Sequence, residues 1–232
     1  MQKQGIKRIL ERVRKEAPKK KFTQSIDYIV SFKDLDLKKA ENQVEFFVVL
    51  NHGTGKENRI CSLVGPELIE NAKESSDTAI LVDEFDKIAK DKKSIKDLAD
   101  KHTFFIAQAA IMPKVASTFG RVLGPRGKMP NPKAGCVVPQ NINLRPVVEK
   151  LKRTVKVSIK KDPLFMCRVG KESSNDEEIV DNVFTLYNTI LHHLPKEKHN
   201  IKSQYLKTTM GKPIPFEKEE GQEAVKQNEK SS

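Results

Sequence analysis

The spacing of hydrophobic residues changes twice along the chain and divides it into three parts. In the first part, apolar residues recur at helical spacing from Ile6 to Val13 and then alternate with polar residues from Ile26 to Phe32. A period of about 3.6 residues is typical of an amphipathic helix, and a period of two is typical of a half-buried strand. Residues 45–50 are more uniformly apolar. The first part therefore predicts one helix followed by two strands.

The middle part alternates short apolar runs with segments of helical period. The apolar runs predict strands at 59–65, 78–82, 104–108 and 136–138, and the segments after them predict helices at 66–75, 84–90, 113–123 and 144–153. Strands that alternate with helices are typical of a parallel sheet covered on both faces. We therefore expect a Rossmann-like parallel α/β domain.

The third part returns to alternation and predicts strands at 155–159, 165–169 and 201–208. Before the last strand, Asn175 and the three acidic residues after it are typical of a helix start. An apolar stripe continues this helix to Leu194.

The simplest assembly pairs the two ends of the chain. Residues 1–54 and 155–216 are predicted to form one discontinuous α+β domain, into which residues 55–154 are inserted as the parallel α/β domain. The glycines at 53 and 55 predict a hinge at the first connection, because glycine loosens the backbone. Residues 217–232 are polar and charged with little to bury, so we expect a disordered tail.

The chain is strongly basic, and its positive charge is unevenly distributed. It has 43 Lys and Arg against 31 Asp and Glu, a net charge of +12. Residues 112–156 contain ten cations and one acid. Such a field favours polyanionic partners through counterion release, although it does not by itself separate nucleic acid from an anionic membrane. The sequence has no apolar run of membrane-spanning length and no apolar secretory segment at its start, so we expect no membrane association.

The residue types that often carry metal or redox chemistry give no usable pattern. Cys61, Cys136 and Cys167 are far apart and odd in number, which favours three inert thiols in a reducing cytoplasm. The pair His192 and His193 closes an amphipathic helix without further ligands nearby in sequence, which favours a capping or surface role. We therefore expect no metal and no cofactor.

Two short segments resemble parts of a phosphate-binding loop. Residues 53–56 and 127–128 contain Gly-Lys, but Glu57 and Met129 stand where the motif requires Ser or Thr. No catalytic triad is indicated either, and we expect a protein that is not an enzyme.

The most distinctive segment is residues 120–135. It contains four glycines, three prolines and four cations, Arg121, Arg126, Lys128 and Lys133. A stiff, exposed, positive loop suits a phosphate backbone. An ordinary solvated loop fits the composition equally well.

From Leu123 to Lys133, and again at Gly135, this segment resembles the signature of the universal L1 family of large-subunit ribosomal proteins, almost letter for letter. Residues 52–55 resemble the family's first domain junction, and residues 208–211 its carboxy-terminal RNA-contact motif. The resemblance covers roughly residues 5–215, and the compact length is similar to the archaeal branch.

The resemblance implies a structural protein of the large subunit, cytoplasmic and ribosome-bound, and a monomer off the ribosome. Its discontinuous domain would bind the ribosomal RNA stalk beside the tRNA exit site, assist release of the exit-site tRNA, and repress translation by binding its own messenger RNA. The residues that resemble the family's RNA contacts are Lys21, Phe22, Ser25, Ser203, Thr209, Met210 and Gly211.

The chemistry of these residues suits RNA. Ser203 and Thr209 have equal parity, so they would share a sheet face if the strand continued through both. Hydroxyl groups reach phosphates and 2′-hydroxyls, and Phe22 or Met210 can press on sugars or a base. Without the resemblance, the residues alone favour a core position for Phe22 and an ordinary place on the strand surface for Ser203 and Thr209.

The four cations of residues 120–135 are predicted to form a secondary, mainly electrostatic contact with ribosomal RNA or the departing tRNA. The alternative is that this loop only closes the inserted domain. Two other functions stay open from the sequence: a nucleotide-dependent enzyme built on the inserted sheet, and a DNA-binding regulator.

Overall fold

The computed structural model describes residues 2–39, 43–160 and 162–216. Its Cα positions divide the chain into two compact units, one made of both chain ends, up to Gly55 and from Val155 onward, and one made of Lys56–Thr154. In chain order the helices and strands are α1 (Lys3–Glu16), β1 (Ser25–Phe32), β2 (Val44–Val49), β3 (Ile60–Val64), α2 (Ile69–Ser75), β4 (Thr78–Leu81), α3 (Phe85–Lys90), α4 (Lys92–Lys101), β5 (Phe104–Gln108), α5 (Met112–Leu123), β6 (Val137–Val138), α6 (Leu144–Lys152), β7 (Thr154–Ile159), β8 (Leu164–Lys171), α7 (Asp176–His193), β9 (Ile201–Thr208) and β10 (Ile214–Pro215).

The first unit is built around an antiparallel sheet with strand order β10-β9-β1-β8, while β2 and β7 form a separate pair. Along β1, the residues from Ile26 to Phe32 alternate between buried and half-buried, as their sequence pattern predicts. The buried side chains share one core with the apolar stripes of α1 and α7. The helices therefore cover one face of the sheet, which leaves the other face open.

We call this open side the outer face. It consists of alternate residues of three strands: 164, 166 and 168 on β8, 25, 27, 29 and 31 on β1, and 203, 205 and 207 on β9. On β1 these residues are half-buried, and on β8 Leu164 and Met166 are exposed by 49% and 58%. Neighbouring exposed apolar side chains on a sheet are typical of an interaction surface, whereas single exposed apolar residues are common on any protein.

Two polar side chains fix helix α7 in this unit. Asn175 caps its start by accepting a hydrogen bond from the Glu177 amide. Asn182, which is fully buried, donates to the Val169 carbonyl and accepts from the His52 amide. A buried amide with both ends bonded costs little to bury, and it fixes α7 against β8 and the segment before Gly55.

The second unit contains a parallel sheet with strand order β4-β3-β5-β6. Every residue of β3 and β5 is buried, which explains why these runs are apolar except at Ser62 and Gln108 rather than alternating. The predicted combination of a parallel α/β sheet with an α+β part is confirmed.

Two elements were not predicted. Helix α4 was missed because, from its second residue to its last, only Ile95 and Ala99 are buried, too narrow a stripe to stand out among its charged residues. Asp91 separates it from α3 with an extended backbone and caps it by accepting from the Lys93 amide. Strand β10 has only two residues, below the length at which alternation can be recognised.

One side chain joins the two segments that enter and leave the second unit. The Asn58 amide group donates to the carbonyls of Leu151, Lys152 and Thr154 at 3.3, 3.1 and 3.1 Å. Gly55, just before it, has a left-handed backbone with φ of 78°. Independent folding of the two predicted domains stays a prediction, and the predicted tail at 217–232 lies outside the described residues.

Candidate nucleic-acid interface

The ends of β1 and β9 meet at a pair of hydroxyl-bearing residues. The Thr209 amide donates to the Ser25 carbonyl at 3.0 Å. The Thr209 hydroxyl accepts from the Ser25 amide at 3.1 Å and donates to the Ser25 carbonyl at 3.3 Å. Thr209 is nevertheless exposed, so its second lone pair stays available to a ligand.

A buried glutamine, Gln24, fixes the backbone next to Ser25 and Thr209 through two side-chain hydrogen bonds. The Gln24 side chain donates to the Pro18 carbonyl at 2.8 Å and accepts from the Met210 amide at 3.1 Å. It is only 1% exposed. Sequence reasoning missed Gln24, because a single polar residue before a strand gives no pattern that distinguishes it from a surface position.

Gly211 closes the turn after β9, where a side chain would meet Thr208. Its amide donates to the Thr208 carbonyl at 3.1 Å. A Cβ atom on Gly211 would overlap the hydroxyl oxygen of Thr208, a residue that is itself buried. A larger residue at position 211 would therefore require the buried Thr208 side chain to move.

Two large apolar side chains flank the hydroxyl pair without entering the core. Phe22 is 54% exposed and Met210 is 56% exposed. The core position that the residues alone favoured for Phe22 is therefore wrong. Lys21, beside it, is exposed as well.

Ser203 lies on the outer face but far from this cluster. It pairs with Ser31, at the other end of β1 from Ser25. Thr209 is six residue steps from Ser203, about 20 Å at roughly 3.3 Å per residue. β9 ends at Thr208, so Thr209 follows the strand rather than continuing it. The structure thus brings six of the seven predicted RNA contacts to one end of the sheet and Ser203 to the other.

Comparison with known proteins identifies the family. A family model described as the ribosomal protein L1p/L10e family matches residues 13–212. The chain belongs to this family. The large ribosomal subunit protein uL1 of Methanothermococcus thermolithotrophicus is 43% identical over 218 residues, covering 94% of this chain and 100% of that protein. The uL1 proteins of Methanocaldococcus jannaschii and Pyrococcus abyssi are 38% and 40% identical, covering 94% and 91% of this chain and 98% and 94% of their own lengths.

Membership in the L1 family confirms the resemblance that residues 120–135 carry. It makes the chain a structural ribosomal protein that binds ribosomal RNA, and not an enzyme. The positions of Lys21 to Ser25 and of Thr209 to Gly211 lie within the matched residues.

Two cations of the L1-family signature loop, half-buried Lys128 and exposed Arg126, bond to other groups of the protein. The Lys128 ammonium donates to the carbonyls of Ala99 and His102 at 2.6 and 2.9 Å. Arg126 pairs with the Asp100 carboxylate. These groups cap the carboxyl end of α4, where a helix carries partial negative charge. Burial lowers the pKa of Lys128 from its ordinary value.

The other two cations of the loop, Arg121 and Lys133, are exposed. The loop therefore has two parts: Arg126 and Lys128 close the second unit, as the alternative expects, while Arg121 and Lys133 point charge at solvent. Asn131 stiffens the second part by accepting from the Lys133 amide at 2.9 Å.

In the parallel sheet, the position where related sheets bind nucleotides is filled by a side chain of the protein itself. In such sheets ligands bind beyond the carboxyl ends of two adjacent strands whose connections run in opposite directions, here β3 and β5. The buried Gln108 side chain occupies that point and accepts from the Gly65 amide at 3.0 Å. This fixed contact speaks against a nucleotide-dependent enzyme.

The remaining reactive groups are held in structural positions. Burial raises the pKa of Cys61 and Cys167 to about 12 and that of Cys136 to about 11. The His193 ring stacks on Phe46 with 3.9 Å between centroids. Within residues 2–39, 43–160 and 162–216, no three metal-binding side chains form a group, and no helix is long and apolar enough to cross a membrane.

Proposed function

We propose that this chain is a structural constituent of the large ribosomal subunit that binds the ribosomal RNA stalk beside the tRNA exit site, on the ribosome in the cytoplasm. The observation that carries the proposal is exposed Thr209, whose hydroxyl is held by the backbone of half-buried Ser25, together with the half-exposed apolar side chains of Phe22 and Met210. Family membership and the names of the relatives support the large subunit as the place of action.

The proposed contact uses short-range chemistry on a fixed frame. The Thr209 hydroxyl and the backbone at Gly211 bond to phosphates or 2′-hydroxyls, and Met210 and Phe22 press on sugars or on an unstacked base. Lys21 adds a charge for a phosphate. Because such groups read shape more than sequence, the affinity depends mainly on the backbone and fold of the RNA.

Footprinting on total ribosomal RNA tests this proposal. The expected result is one protected region in the large-subunit RNA. An excess of structured RNA should abolish this protection by competing for the protein, whereas duplex DNA should not. A footprint that duplex DNA removes equally well would support the DNA-binding regulator instead, and no localised footprint at all would end the proposal.

The finer roles rest on the same surfaces. We infer that the outer face and the hydroxyl pair also bind a similar structure in the chain's own messenger RNA, which would repress its translation. Competition between that messenger RNA and the stalk RNA for one site is the measurement, and simultaneous binding of both would contradict it.

Exposed Arg121 and Lys133 support a secondary contact with ribosomal RNA or the departing tRNA, and through it assistance in tRNA release.

A further inference from the structure

The outer face between Ser25 and Ser203 is organised in three rows that cross the sheet. Strand register sets each row by pairing one residue of β1 with one neighbour on β8 and one on β9. The rows are Arg168–Asp27–Lys207, Met166–Ile29–Tyr205 and Leu164–Ser31–Ser203. The first is charged, the second is apolar, and the third carries two hydroxyls and a leucine.

Asp27 is the unexpected member of this face, because an acid repels RNA phosphates. Its carboxylate is half-buried, and burial raises its pKa, an effect that nearby Arg168 and Lys207 partly offset. Among the residues that the structure describes, Asp27 makes no side-chain hydrogen bond and no ion pair within 4 Å. The Nε group of Arg168 is also buried without a partner. Within the described part of the chain, the Asp27 carboxylate and the Arg168 Nε group are therefore left without a hydrogen-bond partner.

The position of Asp27 ties it to the proposed function. It lies two residues from Ser25 and four from Ser31, the partner of Ser203, and all three share the outer face. A single RNA segment that contacts both Thr209 and Ser203 must pass over the rows between them. The apolar row then lies against sugar edges, and the carboxylate faces whatever hydrogen-bond donors the RNA presents.

We propose that Asp27 is a specificity residue that accepts a hydrogen bond from the minor groove of the bound RNA, while Arg168 and Lys207 offset its charge. A carboxylate only accepts hydrogen bonds, and the donors exposed in an RNA minor groove are 2′-hydroxyls and the guanine amino group. This inference rests on the proposed function, since it requires that RNA covers the outer face.

The substitution Asp27→Asn gives opposite signs for the two possible roles. If the carboxylate accepts a bond from RNA, the amide loses a charge-assisted bond, and the affinity for a stalk-containing ribosomal RNA fragment falls about tenfold or more at fixed salt. If Asp27 only balances Arg168 and Lys207, removing an acid makes the face more positive and the affinity rises. Affinity that rises or stays within twofold would overturn the proposal.

Glu11→Gln is the matched control, because it removes one exposed acid from α1, whose apolar stripe packs on the covered face of the sheet. It should change affinity by less than twofold. Urea unfolding of each variant separates lost binding from lost folding. If Asp27→Asn does not fold, Asp27→Ser replaces it, since Ser25 and Ser31 already occupy the same strand face.

Modified RNA distinguishes the two donors. Replacing guanosines by inosine removes the amino group, and replacing riboses by deoxyribose removes the 2′-hydroxyl. One such change should weaken binding to the wild-type chain about tenfold and have no further effect on Asp27→Asn. If no single position shows this loss of coupling, the inference fails even though wild-type binding persists. If the wild-type chain itself does not bind the fragment, it is the proposed function that fails.

Discussion

At the scale of single residues, Thr209 combines a structural and a proposed binding role that substitutions can separate. Its hydroxyl bonds twice to the Ser25 backbone, yet the residue is exposed. Thr209→Val keeps the shape and removes the hydroxyl. We expect RNA binding to weaken by about 1–3 kcal/mol, the usual range for a lost hydrogen bond at such a site.

Filter binding to the stalk RNA at fixed salt measures this change, and Thr209→Ser, which retains the hydroxyl, should bind nearly as well as the wild type. Stability should fall by only about 1 kcal/mol in Thr209→Val, because the amide bond to Ser25 remains. Equal affinity of all three chains would remove Thr209 from the site.

At the level of residues, the sequence selects candidates where a motif exists and cannot select them where only the fold decides. Thr209 to Gly211 could be selected because they resemble a known motif. The exposure of Phe22 could not be predicted, because apolar residues occur both buried and exposed in the same local sequence pattern. The hydrogen bonds of Gln24 to Pro18 and Met210 could not be predicted either, because they join residues that only the fold brings together. Asp27 was passed over as one polar residue in an alternating strand, because register with Arg168 and Lys207 appears only in the sheet.

At the scale of elements, the signature loop and helix α4 form one structural device. The sequence indicated a stiff, positive loop but could not indicate its partner, because the narrow apolar stripe of α4 hid the helix. With both in view, the engagement of Lys128 and Arg126 follows from the carbonyls at the end of α4. A basic loop can therefore be part of the fold as well as a ligand surface.

Lys128→Met tests this structural role. Methionine keeps an apolar side chain of similar length but leaves the carbonyls of Ala99 and His102 without their charged donor. We expect the free energy of unfolding to fall by about 1–2 kcal/mol. Lys133→Met, at an exposed position of the same loop, should change it by less than about 0.5 kcal/mol. Urea denaturation compares the two, and equal effects would show that Lys128 does not cap α4.

At the scale of the whole molecule, the architecture could be predicted because hydrophobic period changes where the chain passes between units. A parallel sheet buries both faces of its strands, whereas the antiparallel sheet keeps one face open, and these two conditions produce different sequence patterns. The outer face itself could not be recognised. Its side chains mix Ile29, Met166 and Tyr205 with charged residues, so it lacks the polar character that usually marks a solvent face.

The distribution of exposed cations between the two units predicts how salt affects binding. Replacing Arg121 and Lys133 by glutamine should flatten the slope of log affinity against log salt on intact large subunits, by roughly 0.7–0.9 for each phosphate that the variant no longer neutralises. Affinity for the isolated stalk fragment should barely change. Identical slopes for the variant and the wild type, with and without tRNA, would contradict a secondary contact.

The two-unit organisation also predicts that the RNA site survives removal of the second unit. Every buried residue of the first unit's core comes from the two chain ends. The chain also leaves and re-enters near a bonded pair, because Asn58, four residues after the first cut, donates to the carbonyl of Thr154, the residue before the second cut. A chain that joins residues 1–54 to 155–216 through a short flexible linker should therefore unfold cooperatively and bind the stalk RNA within about tenfold of full-length affinity, since each domain contains its own core. Thr209→Val in the shortened chain should weaken binding as it does in the full chain. If the shortened chain folds by circular dichroism but binds the stalk RNA no better than an unrelated RNA, the primary contact must lie in Lys56–Thr154.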